Sequence, residues 1–232
     1  MVDNTRTRTT EPPAASDAVA RWLLLGCVAI SVIQPIAWII LGLLRPGYSP
    51  IHQAISDLGT GPNGQIANTL GFLEGLLRIG FAAGLVIVLR RLPSAGLRVA
   101  GTTLIGISGA ARLVVSVFTD APSTVAIHSA ATLVVVVTFV VGLVLIGMSL
   151  LKADPYRRWG IYTLLTATLT VMLFGGLFMA FKPGSPLAPA HIGGLLERIT
   201  QVEMEAWFVA LGLRLAVFPL SSGRGVHADL DR

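Results

Sequence analysis

Charge is scarce in this chain. Asp, Glu, Lys and Arg make up 12% of its 232 residues, against about 25% in a soluble domain. That deficit excludes an ordinary water-soluble globule. With 53% hydrophobic residues and a mean hydropathy of +0.76, it leaves a polytopic membrane protein with one membrane domain. Cysteine is nearly absent. Cys27 stands alone inside the first apolar run, so no intramolecular disulfide and no cysteine-built metal site can form, and it reads as a small core residue. Two of the 17 basic residues are lysine. The isoelectric point near 10.1 does not point to nucleic acid, because the basic residues lie in short loops beside apolar runs, which is an orientation signal. The chain also lacks H-E-x-x-H, a G-x-S-x-G elbow and a glycine-rich phosphate loop. A helical zinc protease, a serine hydrolase built on Ser49, Ser56, Ser123 or Ser185, and a nucleotide-binding fold therefore have no motif to rest on.

What is present is length of apolar sequence. Six runs, at about 22–44, 66–89, 99–119, 125–150, 159–181 and 200–218, each suffice to cross a ~30 Å hydrocarbon core at ~1.5 Å per residue. The expected fold is an all-α bundle of six transmembrane helices. Pro35 should kink the first span. The pairs Gly71/Gly75 and Gly80/Gly84 read as helix-packing seams. Trp22, Trp38, Trp159 and Trp207 lie near span ends, as in an aromatic belt. Residues 1–20 are polar and read as a disordered tail. The run after them is too long for a signal-peptide core and reads as a retained helix. Residues 219–232 form a second polar tail.

Orientation follows from Arg and Lys. The two tails and the loops around 90–98 and 151–158 hold twelve of them, and the opposite side holds Arg45, Lys182 and Arg198. Both termini are expected in the cytoplasm of a cell-membrane protein. The short basic loops carry no chemistry. The outward loops 45–65, 120–124 and 182–199 do, and function is sought there. The first, 48-YSPIHQAISDLGTGPNG-64, is far richer in punctuation than a connector needs. It reads as an ordered lid in which Asp57 either caps a turn or points into a pocket.

Charge inside the bilayer is the second signal. Glu74 and Arg78 are spaced i,i+4 on the second span, Arg112 is on the third, and Glu203 and Glu205 enter the sixth. A charge near the bilayer centre costs at least ~2.5–3.5 kcal/mol, so these residues must face inward. One reading is a closed network, Glu74–Arg78 with Arg112–Glu203. The other is an outward-opening polar vestibule in which Arg78 and Arg112 hold a phosphate or carboxylate bidentately. The binding set is Ser56, Asp57, Glu74, Arg78, Arg112, Glu197, Arg198 and Glu203. Separately, His52, His128 and His191 stand at similar outward positions with Asp57, Asp120 and Glu197 nearby. Three imidazoles and a carboxylate can hold a divalent metal such as zinc and activate water, although no ligand pair has diagnostic spacing. Capping of helix ends explains the same histidines.

Two elements, Y-S-P-I-x-x-x-I-S-D-L-G at 48–59 and G-L-L-E-R-I at 194–199, resemble domain-of-unknown-function family 998, prokaryotic integral membrane proteins with six helices. The resemblance covers most of residues 20–218. It implies topology and membrane location with no assigned activity, and directs attention to Ser56, Asp57, Leu58, Gly59, Glu197 and Arg198. Three function classes stand at this point. One is a binder of an anionic lipid headgroup or small anion. The second is a membrane-embedded metal-dependent hydrolase at the outer face, and the third an accessory or structural subunit. Membrane lipid is the expected partner in each.

Overall fold

The computed structural model describes residues 15–217. The tails at 1–14 and 218–232 lie outside the described residues. Six long helices make up the fold: α1 (Ala15–Leu44), α2 (Gly64–Leu89), α3 (Ala95–Val117), α4 (Val125–Leu151), α5 (Arg157–Phe181) and α6 (Gly193–Val217). Short 3-10 turns occupy Ser56–Gly59, Asp154–Tyr156 and Ala188–Ala190, and no strand occurs among the described residues. The first five helices are long and apolar enough to cross a membrane, which makes this a multi-pass membrane protein. The sixth is 25 residues long but carries Glu197, Arg198, Glu203, Glu205 and Arg214.

Helix bounds differ from the apolar runs at three places. The first helix begins at Ala15, with Asp17 in its first turn, so 15–20 are helical and not tail. A carboxylate there complements the helix dipole, and Asp17 also meets Arg90 at 3.1 Å. Helix α3 starts at Ala95, and α6 starts at Gly193, so GLLERI is its first turn. Pro35 lies inside α1 without ending it.

Short connections make sequential helices neighbours. Each helix packs on the next, and α6 closes the ring against α1. The interior of the ring is filled by Phe81 of α2, Phe139 of α4, and Trp207 and Phe208 of α6, all wholly buried. Their ring centroids lie 5.1–5.8 Å apart, mostly edge to face, the favoured aromatic geometry. Trp22 is exposed as a belt residue should be. Trp207 is not a belt residue: it is a core residue whose Nε1 donates to Thr163 Oγ1 at 3.2 Å. Ile36, Ile39, Ile40 and Leu43 of α1 and Leu165, Leu169 and Met172 of α5 turn outward, as lipid-facing side chains do.

The glycine seams serve two different neighbours. Gly80 and Gly84 lie against Leu23, Ala20 and Leu24 of α1, whereas Gly71 and Gly75 lie against α3. At the crossing of α2 and α3 a Cβ on Gly109 would stand 2.9 Å from both Gly75 O and Ile79 N. These are backbone atoms and cannot rotate aside. Gly109→Ala should therefore cost about 1–3 kcal/mol by overpacking, read as a lower thermal midpoint in detergent. Ala at Gly96, where a Cβ meets nothing within 4 Å, should leave that midpoint in place.

Candidate functional site

The chain leaving α1 must turn back over the bundle, and Gly47 does so at φ +73, a region open to glycine. The segment that follows is tied to itself. Tyr48 Oη donates to Ala54 O at 2.6 Å, Ser49 N to Gln53 Oε1 at 2.8 Å, and Ala54 N to Asp57 Oδ2 at 3.0 Å. Leu58 is buried on Trp38 and Leu41, which pins the 3-10 turn to α1.

The first turn of α6 grips this loop. Leu195 N donates to Ile51 O at 3.0 Å, and Ile55 N donates to Glu197 Oε2 at 2.7 Å. Arg198 Nη1 donates to Pro50 O at 2.7 Å and to Gln53 O at 3.0 Å, and its Nη2 donates to Tyr48 Oη. The guanidinium also stands 5.4 Å from the centroid of the Tyr48 ring. Burial pushes the Tyr48 phenol above its ordinary value, against the opposing Arg198, so it remains a neutral donor. The two elements that carry the family resemblance are thus one clasp, although almost 150 residues of sequence separate their contacts.

Beneath the clasp lies a cavity of about 810 Å³. Its polar wall includes Ser56, Asp57, Arg112, Asp120, Glu197 and Gln201, and its apolar wall Trp38, Leu133, Phe174, Leu177, Phe178 and Phe181. Ser56 Oγ donates to Asp120 Oδ2 at 2.9 Å, which joins the first outward loop to the α3–α4 connection. Leu133, Phe178 and Phe181 are 50–61% exposed. These exposed residues put the apolar wall of the cavity on α4 and α5.

Arg112 links this cavity to a buried set of charges. Its side chain is 16% exposed and its Nε donates to Glu74 Oε2 at 3.0 Å. Gln34 Nε2 donates to the same oxygen at 2.8 Å. Arg78 pairs with Glu74 one turn away and with Glu205 of α6. It lies 4.8 Å from the centroid of Phe208. Glu74, Arg78 and Glu205 are 0–2% exposed. Two guanidiniums, which cannot deprotonate in proteins, face two carboxyl groups, and the set is neutral when both of these are ionised.

This arrangement revises the expected pairing. Arg112 does not meet Glu203. Glu203 accepts from Thr170 Oγ1 of α5 at 2.8 Å. Positions two apart on a helix differ by ~200°, so only one of Glu203 and Glu205 can face the arginines, and it is Glu205. Arg78 does not line the cavity; it lies behind it, enclosed by carboxylates. Glu205 was absent from the binding set. The signal that marks it is its spacing with Phe208 and Gly212, which continue the same buried stripe.

The histidines serve separate segments. His52 Nδ1 lies 3.2 Å from Ser49 Oγ. His128 Nδ1 donates to Phe118 O at 2.9 Å and reaches Val115 O at 3.2 Å, closing the end of α3. His191 ends the Ala188–Ala190 turn at φ 51. Among the described residues, no three His, Cys, Asp or Glu side chains gather closely enough to hold a metal ion.

No curated protein and no solved structure matches the chain. The family model for a protein of unknown function (DUF998) matches residues 28–214, a range that contains both halves of the clasp and every residue of the charge set. The chain belongs to that family.

Proposed function

We propose that this protein is a six-span membrane protein whose outward cavity binds a membrane amphiphile by its headgroup. In this reading α6 is the sixth span, and its charged residues are tolerated because they turn inward or stand at its mouth. Both termini are cytoplasmic, as the Arg and Lys count implies, and the membrane is the cell membrane. The headgroup presents a phosphate-class anion to Arg112 and Lys182. It turns hydroxyl or amine donors toward Asp57, Asp120 and Glu197. The chain runs along Phe174, Leu177 and Phe178 and leaves between α4 and α5.

The observation that carries this reading is the pairing of an exposed apolar wall on α4 and α5 with a half-paired guanidinium at depth. Arg112 spends its Nε on Glu74. Its terminal nitrogens form the edge that suits bidentate binding of an oxyanion. A volume near 810 Å³ is in the range of small-molecule pockets. It suits a headgroup and the first part of a chain. A free small anion would leave the apolar wall without a partner.

The test is calorimetry on protein purified in maltoside. The probes are dihexanoyl phosphatidylglycerol, dihexanoyl phosphatidylethanolamine and inorganic phosphate. One of the two lipids should bind at least about tenfold more tightly than phosphate, a gap of ~1.4 kcal/mol. Arg112→Lys keeps the charge but loses the bidentate edge, and should weaken the lipid by about tenfold or more. Equal affinity for phosphate and lipid would point to a plain anion site. Lipid binding untouched by Arg112→Lys, or none at all, would remove the proposal.

A further inference from the structure

We infer that loading the cavity with an anion draws one proton into the buried charge set beneath it. This rests on the amphiphile site proposed above and assigns its regulation. The argument is one of charge balance. Arg78 and Arg112 are permanent cations, and Glu74 and Glu205 neutralise them only if both are ionised. With both ionised the set stands at zero, and an anion set against Arg112 adds a negative charge to it. Glu74, Arg78 and Glu205 are 0–2% exposed, and an uncompensated charge beside them costs more than protonation of a carboxylate. The set therefore returns to neutrality by taking a proton from water through the cavity.

The structure also indicates where the proton goes. Both donors to Glu74 Oε2, Gln34 and Arg112, are in place. On Glu205, Oε1 meets Arg78, whereas Oε2 is buried without a hydrogen-bond partner. Ser31 Oγ is equally unpartnered and faces this carboxyl. A proton on Glu205 turns a carboxyl with a buried, unpartnered oxygen into a donor, with Glu74 and Ser31 beside it.

The groups around the set limit the alternatives. From α1 come Cys27, Ser31 and Gln34, from α2 Glu74 and Arg78, and from α3 Arg112. From α6 come Glu205 and the Phe208 ring. Helix α4 offers His128, which lines the cavity wall. Helix α5 offers Tyr162, whose charged neighbour is Glu203. The cavity wall also carries Asp57, Asp120, His128 and Glu197, all able to take a proton beside a bound anion, and the test must separate them from Glu205.

Dihexanoyl phosphatidylglycerol is the probe, because its phosphodiester keeps a single charge across neutral pH. Titration in buffers of different ionisation enthalpy counts the protons taken up per lipid. About one is expected, with affinity rising about tenfold for each unit of pH lowered while that uptake persists. Glu205→Gln leaves the set with one excess cation. Its uptake should fall to near zero, and its affinity should become flat with pH and higher than wild type at alkaline pH. His128→Gln should keep the wild-type count. Binding without proton uptake overturns the inference and leaves the site standing. Uptake that survives Glu205→Gln, or vanishes in His128→Gln, also overturns it. No binding removes both the site and its regulation. If Glu205→Gln does not fold, the wild-type count must persist in both His128→Gln and Glu197→Gln, and its loss in either overturns the inference.

Discussion

Arg78→Met should abolish or nearly abolish the folded protein, and adding Glu205→Met should restore most of what was lost. Arg78 is 1% exposed and stands between Glu74 and Glu205. Its removal leaves two carboxylates with only Arg112 to balance them. Breaking a buried pair on one side costs about 3–5 kcal/mol, whereas replacing both partners with apolar groups is often close to neutral. The double variant keeps Glu74 with Arg112 and Gln34, a neutral and hydrogen-bonded remainder. A pair of methionines against Phe208 and Phe81 suits the aromatic core.

Thermal unfolding in detergent, followed by size exclusion of the soluble fraction, separates the outcomes. The single variant should drop sharply and the double should sit near wild type, a coupling of several kcal/mol in a double-mutant cycle. The deficit of Arg78→Met should also shrink as pH is lowered, because a proton on either carboxylate cancels the excess negative charge. A single variant as stable as wild type at neutral pH would mean that the carboxylates are not ionised in the resting protein.

Hydropathy made the apolar spans legible, because length and composition alone distinguish a membrane helix from a loop. The clasp was legible in part. Glu197 and Arg198 stood out as charges at the start of an apolar helix, and the glycine- and proline-rich loop stood out by composition. Their mutual contact was an expectation about placement, and the hydrogen bonds from Arg198 to Pro50, Gln53 and Tyr48 supply its physical form. Side-chain facing was much harder to read. Charge on more than one side of α6 obscures its inward stripe, so Glu203 was set toward the arginines in place of Glu205, and Trp207 looked like a belt residue. The histidines posed the same difficulty. Similar distance from a span end says nothing of azimuth around the ring, and the His52 and His128 imidazoles bond within different segments. Helix ends shifted where a polar residue extended the helix, as Asp17 does in α1.

Gly194→Ala should lift the lid while leaving the bundle folded. A Cβ at this position would lie 2.1 Å from Gln53 O, 2.7 Å from Gln53 C and 2.9 Å from Gln53 N. Every one of these is backbone, so the loop itself must move. That displacement breaks the bonds from Leu195 N to Ile51 O and from Ile55 N to Glu197, and it draws Arg198 away from its carbonyls. Overpacking of this kind costs about 1–3 kcal/mol. Because the loop can yield without the ring, the cost should appear as local opening. Hydrogen exchange of the amides at 51–58 should quicken by about ten- to a hundredfold, with the amides of α2 and α4 unchanged. Arg198→Lys should act in the same direction, since an ammonium cannot reproduce the fork that reaches Pro50, Gln53 and Tyr48 together. If exchange in the loop stays slow in both variants, the clasp is not what holds it down. If it quickens, the same proteins separate roof from floor. Ser56 and Asp57 leave the cavity with the lid, whereas Arg112 stays anchored to Glu74. Phosphatidylglycerol should then lose the affinity owed to its hydroxyls and keep that owed to its phosphate.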